Sequence, residues 1–506
     1  MRNIRSRLAT GSLWISGARG VGTLLTFVTT IVLARILVPS DFGLIALAST
    51  MLAVLTSVTN LSVASALIHL KNATEGHYHT AWTLGLLRGA FLAAIFCLIG
   101  WPASYLYSEP RLDNVMYALS ISVFVAGLTN PRVIMLKKNL VFWQVFVLQV
   151  ANNLVAAIVS VGWALVYDDY WALVLGTVSG QITSTGLSYV LLPFRPRLSL
   201  KHLRDIFSFS MWLTLGQAVT SLNFRLDQLL IGGFLGRAAL GYYSVGTNLA
   251  ASPSRESVLP LTQTLYPAFS MVSDDVERLR RAYQRAQSVV TAIALPAGIG
   301  FVLIADPFVR LAMGDKWAPA IIVIQMIGSI YAFVTLGSLS TPLAMATGAT
   351  RLLFIRSLQL LLLRLPFIMT GMYLWGLLGL LYARVFVAAV GIIINLRLVQ
   401  SLTGLSIPTQ LRANMRSIVA AGAMVGAVVA LQQALSPSVS NLSLAIMIIF
   451  SILVGAASYI TASLLLWLAA GRPPGPEQEA IELSRNLVGR VLGRYRSASG
   501  RDQGIL

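Results

Sequence analysis

Apolar runs of roughly 20 residues or more follow one another along the chain, each long enough to cross a hydrocarbon core about 30 Å thick. They cover approximately 12–37, 43–69, 80–103, 114–131, 144–167, 171–193, 208–235, 241–267, 287–305, 318–345, 353–374, 376–399, 416–435 and 441–469. The runs are continuous and rich in Leu, Ala, Ile and Val, unlike the roughly 10-residue alternating segments of a membrane barrel. A backbone in lipid must satisfy its own hydrogen bonds, so continuous runs of this kind predict helices. The expected fold is an all-α integral membrane bundle of about 14 transmembrane helices.

The intervening segments are short and polar. Arg197 to Phe207 places Leu200, Leu203 and Phe207 on one face and Lys201 and Arg204 on another, which predicts a surface helix. A second is expected over Asp274 to Arg285, opened by a capping box of Asp274 and Glu277. Past the Arg472–Pro476 stop, Ile481, Val488, Val491, Leu492 and Tyr495 form a stripe beside Arg485, Arg490 and Arg494. That pattern predicts a basic amphipathic tail lying on anionic lipid.

Shifting the chain by 198 residues aligns Trp14 with Trp212, Leu37 with Leu235 and Gly43 with Gly241. The offset equals six spans, an even number, so the halves share one orientation. A parallel repeat about an axis near the membrane normal follows, with a cavity between two lobes. The expected division is 1–200 and 201–402 for two six-helix lobes, 403–470 for two extra helices, and 471–506 for the tail.

Composition sharpens this picture. The 506 residues are 56% hydrophobic and 11% charged, with a net charge of +19. In a soluble protein such a charge would suggest nucleic acid; here the positive-inside rule accounts for it and no nucleic-acid partner is expected. Most of the 37 Lys and Arg fall in the N-terminal segment, the loops after even-numbered spans and the tail, leaving Arg35, Arg111, Arg237, Arg310 and Lys316 on the other side. That asymmetry puts both termini in the cytoplasm and the first apolar run in place as an uncleaved helix. Trp101, Tyr105, Tyr107, Trp317, Tyr373 and Trp375 sit at span ends as expected of interfacial anchors.

Enzymatic signatures are absent. No Walker motif appears, and the glycine-rich run Gly17 to Gly22 lies inside a span with no preceding strand, so no nucleotide cofactor is expected. His77 and His79 beside Glu75 lack further clustered ligands, and Cys97 is the only cysteine, so no metal site is expected either.

The informative residues are charges within spans. A charge at mid-bilayer costs at least about 3 kcal/mol on insertion scales, so each needs a partner, a watery cavity or a route to the surface. Arg88 and Arg384 lie near surfaces where a long side chain snorkels, whereas Arg19, Arg225, Arg255 and Arg364 lie deeper. The accompanying acids are Asp227 and Glu256. Arg225 and Asp227, two apart, point to different sides of one helix. Cross-pairs with Arg255 and Glu256 in the next span are one expectation. The other is a cationic cavity for an anionic substrate, since arginine still outnumbers acid and its fork suits phosphate. Prolines 253, 260, 267, 296, 342 and 366 cluster in the second half and predict bendable helices.

The opening Gly11-Ser-Leu-Trp14, the stretch from Leu33 through Leu37-Val-Pro-Ser-Asp-Phe-Gly43, and Arg225-Leu-Asp227 continuing to Leu235 and Leu240-Gly-Tyr-Tyr243 resemble bacterial polysaccharide flippases. These are the Wzx-type exporters of the multidrug/oligosaccharidyl-lipid/polysaccharide superfamily. The resemblance implies alternating access by two lobes and an undecaprenyl-diphosphate-linked oligosaccharide as substrate, a unit of exopolysaccharide, capsule or O-antigen. It implies a non-enzymatic inner-membrane protein that works either alone or beside a polysaccharide polymerase and chain-length regulator. By position it assigns the diphosphate to Arg19, Arg225 and Arg255, with Arg364 added for its depth. Asp227 and Glu256 are candidates for ion coupling, and Asn60, Asn223, Gln217 and Asn248 for sugar contacts. Rival readings are a lipid II flippase and a cation-coupled drug exporter of the same superfamily, and, more remotely, a membrane polysaccharide polymerase. The exporter reading expects excess acid in the spans, and the polymerase a large catalytic outer loop; neither feature is present.

Overall fold

The computed structural model describes residues 2–59, 67, 74–138, 141, 143–203, 211–435, 440–473 and 475–479. Its elements are α1 (Arg2–Ile36), α2 (Pro39–Val58), α3 (Glu75–Leu106), α4 (Arg111–Gly127), α5 (Arg132–Lys138), α6 (Trp143–Tyr167), α7 (Trp171–Leu191) and α8 (Met211–Phe234). There follow α9 (Gly236–Ser270), α10 (Val276–Leu303), α11 (Ala305–Ala312), α12 (Pro319–Val334), α13 (Ser340–Ala346), α14 (Thr350–Thr403), α15 (Ile407–Leu435) and α16 (Asn441–Ala469). The described residues hold no strand, and nine helices are long and apolar enough to cross a membrane. One of these, α14, is two spans in sequence: Trp375 and Gly376 leave helical geometry, with Gly376 at φ 58°, ψ −133°.

Two surface helices differ from expectation. Residues 193–200 form no regular element, because Pro193 and Pro196 oppose helix formation, and the strap instead bonds to α3. Along it, Arg197 N donates to His79 Nδ1 at 3.3 Å, Ser199 N to Thr83 Oγ1 at 3.0 Å and His202 N to Thr80 Oγ1 at 3.4 Å. Residues 204–210 and the tail from 480 onward lie outside the described residues. The expected 274–285 helix is the first part of α10, which continues into the span because no breaker separates them. Its cap is Asp275, not Asp274, and accepts from Arg278 N at 3.1 Å. Pro253 and Pro296 lie within the continuous helices α9 and α10.

The chain forms two compact units, 1–249 with 309–324 and 354–387, and 250–308 with 325–353 and 388–506. In the first, small residues let helices approach. A Cβ on Gly127 of α4 would lie 2.6 Å from the Gly85 carbonyl oxygen of α3, and one on Gly180 of α7 2.8 Å from that of Asn152 in α6. Trp317 is fully buried here rather than anchored at an interface. Its Nε1 donates to Ala34 O at 2.8 Å, and its ring meets Phe42 and Tyr242 edge-on. Lys316 beside it donates to the carbonyls of Arg35 and Ile36 at 2.8 and 3.1 Å, satisfying acceptors that the end of α1 leaves open. Trp101, Tyr105, Tyr373 and Trp375 are exposed, as anchors should be.

In the second unit, α10 packs on α15 and α15 on α16. Leu295, Ile299, Ala332, Ala421, Met424 and Val428 form one core; Phe269, Leu279, Tyr283, Leu339, Leu343 and Val399 belong to another.

Candidate functional site

A buried ionic cluster within the first unit brings together three of the intramembrane charges, Asp227, Arg364 and Arg384. Its centre is Asp227 on α8, with no exposed surface. Asn223 and Asp227 are one helical turn apart and share a face, while Arg225 points elsewhere. Arg364 on α14 grips both residues of that face. Its Nε donates to Asp227 Oδ1 at 3.0 Å and its Nη2 to Oδ2 at 2.5 Å, a bidentate fork. Its Nη1 donates to the Asn223 backbone carbonyl at 2.6 Å and to Asn223 Oδ1 at 3.0 Å. Arg384 Nη1 also donates to Asp227 Oδ2, and to Tyr243 OH at 3.1 Å. Tyr243, on α9, donates its own hydroxyl to Asp227 Oδ2 at 2.6 Å.

Four donated hydrogen bonds converge on one carboxylate, three on Oδ2 and one on Oδ1. Within this cluster, two guanidiniums meet one carboxylate. Arg364 and Arg384 reach the same acid because α14 folds back at Trp375–Gly376. The limbs meet at Gly371 and Gly379, where a Cβ on either would overlap the other's carbonyl, and Phe367 stacks on Phe386 with centroids 4.5 Å apart.

Arg225 lies on another face and is half-buried. Its Nη1 is 3.4 Å from Gln228 Oε1, which also accepts from the Thr50 hydroxyl of α2. Arg19 on α1 is half-exposed and makes contacts of its own. On α9, Arg255 is exposed and Glu256 partly buried, and neither makes an ion pair among the described residues. The expected cross-pairs between α8 and α9 are thus replaced: Asp227 takes its cations from α14. Arg384, read as near a surface, is half-buried and turned into the cluster. Arg88 is anchored on α2, its Nη2 donating to Thr56 O at 2.9 Å and its Nε to Thr59 Oγ1 at 3.4 Å. Asn248 is exposed, Gln217 is on α8 with its side chain outside the described residues, and Asn60 lies outside them altogether. No cluster of potential metal ligands occurs among the described residues. Sequence reasoning missed Tyr243 and the role of Arg384. The available signal was two arginines on either side of a Trp-Gly break.

Many apolar spans, a buried charge cluster and the absence of strands among the described residues define a multi-pass, all-helical membrane protein. The fold is similar to that of the lipid II flippase MurJ in an inward closed conformation, with a TM-score of 0.71 and 14% identity over 92% of this chain and 100% of that one. It is also similar to an inward-facing multidrug resistance MATE family transporter, with a TM-score of 0.57 and 14% identity over 76% and 96% of the chains. Residues 32–322, more than half the chain, match the polysaccharide biosynthesis protein family, and the chain belongs to it. The lipopolysaccharide biosynthesis protein WzxC of Escherichia coli (strain K12) is 24% identical over 401 residues, 78% of this chain and 81% of that protein. The succinoglycan biosynthesis transport protein ExoT of Rhizobium meliloti (strain 1021) is 24% identical over 65% of this chain and 67% of its own.

Proposed function

We infer that this chain is a Wzx-type flippase carrying diphosphate-linked oligosaccharide units from the cytoplasmic to the periplasmic leaflet of the inner membrane. The observation that carries the reading is family membership over 32–322, with relatives whose names place them in lipopolysaccharide and succinoglycan biosynthesis. The chemistry agrees. A diphosphate needs cationic partners in the bilayer, and arginine exceeds acid both in the spans and in the Asp227 cluster.

Arg19, Arg225 and Arg255 are the proposed phosphate contacts. Arg364 joins them by its depth and by its hold on Asp227. Asp227, gripped by both arginines, is the proposed coupling carboxylate, with Glu256 as a second. A coupling ion or an incoming phosphate would act by exchanging partners within that cluster. Asn60, Asn223, Gln217 and Asn248 are proposed to meet sugar hydroxyls. Both termini are assigned to the cytoplasm, and a polymerase and chain-length regulator would take the delivered unit.

The test is movement of a fluorescent undecaprenyl-diphosphate oligosaccharide in proteoliposomes. Wild type moves it, and Arg225→Ala and Arg255→Ala slow it at unchanged melting temperature. Export of small organic cations with no lipid movement would replace this reading by a drug exporter.

A further inference from the structure

A second cationic site lies in the other unit, apart from the Asp227 cluster. A cavity of about 680 Å³ opens between the first turns of α10, the first turns of α15 and the segment that follows α16. Its size falls within the roughly 300–1,000 Å³ of small-molecule sites. Four arginines line it: Arg281 and Arg285 from α10, Arg412 and Arg416 from α15.

Two acids organise part of this charge. Glu479, in the wall, pairs with Arg285. Glu477 sits behind Arg416, buried, with its Oε2 3.3 Å from Arg416 Nη1 and its Oε1 accepting from the Ser463 hydroxyl at 3.3 Å. Arg281 and Arg412 make no ion pair among the described residues; Arg281 spends its Nε on the Glu277 carbonyl at 3.3 Å. Four guanidiniums against two carboxylates leave two positive charges facing the cavity.

Two details mark this as a receptor rather than a solvated basic face. Arg416 Nη1 is buried, and its carboxylate neighbour, Glu477 Oε2 at 3.3 Å, lies outside hydrogen-bond geometry, so neither atom is fully satisfied. Gly475 gives that guanidinium its room: a Cβ there would lie 2.5 Å from Arg416 Nη2. Side chains of the kind that anchor helix ends at a membrane interface flank the cavity. Trp467, in the last turn of α16, donates Nε1 to Pro473 O at 3.0 Å, and Arg472 lies over its ring at 6.0 Å. By the charge asymmetry of the loops this is the cytoplasmic end, where basic pockets between helices hold anionic headgroups.

We propose that this arginine cavity binds a lipid headgroup bearing two phosphates, one held by Arg281 and the other by Arg412. Two phosphates match the two uncompensated charges, and the fork of each arginine suits their oxygens. The headgroup can come from a diphosphatidyl phospholipid of the leaflet or from a polyprenyl diphosphate. The site stands on its own geometry; only the second source draws on the flippase reading.

The experiment uses the full chain in phosphatidylcholine nanodiscs carrying diphosphatidylglycerol, undecaprenyl diphosphate or phosphatidylglycerol at equal phosphate, with inorganic pyrophosphate as the free probe. Bound lipid is read by native mass spectrometry. The Arg281→Gln/Arg412→Gln double variant should bind the two-phosphate lipids at least about tenfold more weakly, since two charge-assisted contacts are lost. Arg278→Gln, an exposed arginine paired to Asp275 outside the cavity, should bind as wild type. Retention of diphosphatidylglycerol over undecaprenyl diphosphate assigns the site to the leaflet lipid, and the reverse to the transported class. Pyrophosphate competing with either lipid confirms that the phosphates are what is recognised. Equal binding of phosphatidylglycerol, or equal weakening by Arg278→Gln, overturns the proposal. Because the readout is binding, a chain that flips lipid but fails here rejects this site alone.

Discussion

Gly43 of α2 and Gly241 of α9 make the same contact twice: a Cβ on Gly43 would overlap the carbonyl of Arg237, and a Cβ on Gly241 that of Pro39. Each glycine thus lies against the first turn of the other's helix, and the 198-residue offset that exchanges the glycines also exchanges Pro39 with Arg237. Two helices crossing this closely need hydrogen at both points. Gly43→Ala or Gly241→Ala should each destabilise the protein by roughly 1–3 kcal/mol through forced separation of the backbones. Thermal unfolding in detergent, read by a thiol dye on Cys97, checks it. An unchanged midpoint for both would mean that the crossing yields freely.

Asp227→Asn removes the buried carboxylate that the Arg364 and Arg384 guanidiniums share. Breaking a buried pair in this way costs about 3–5 kcal/mol, because charge is left without compensation. Arg384→Gln alone should cost less, since Arg364 keeps its fork. Combined with Asp227→Asn it should recover part of the loss, a coupling that a double-mutant cycle measures. Additive effects would show that the three side chains do not act as a unit.

Gly376 holds φ 58°, ψ −133°, a conformation that residues with a Cβ avoid. Gly376→Ala should cost about 1–3 kcal/mol. Gly379→Ala should spread the two limbs of α14 and so weaken the hold of Arg384 on Asp227. Distances between spin labels on the limbs, before and after substitution, report the spreading directly.

Trp317→Ala empties a fully buried site and deletes the bond to Ala34 O, at an expected cost of about 3–5 kcal/mol. Trp317→Phe keeps most of the volume and should cost much less. If both variants melt together, the hydrogen bond rather than the volume holds the end of α1.

Much of this protein was legible in its sequence because a bilayer reads hydropathy almost residue by residue. The apolar runs gave the helices, the Trp375–Gly376 break separated two spans, and Leu33 to Gly43 with Arg225 to Tyr243 pointed to the family. The intramembrane arginines were also visible, since every charge in lipid demands an explanation. What sequence could not decide was which charge answers which. Asp227 finds Arg364 and Arg384 from 137 and 157 positions away, and only the fold-back of α14 puts both on one carboxylate. Trp317 reads as an interfacial anchor by its place at a span end, yet the α1–α2 corner covers it. The arginines of the second cavity are ordinary positive-inside residues in sequence and become a site only where α10, α15 and the chain past α16 meet. Hydropathy is a local property and fixes the helices; pairing of charges depends on which faces come together, and packing alone decides that.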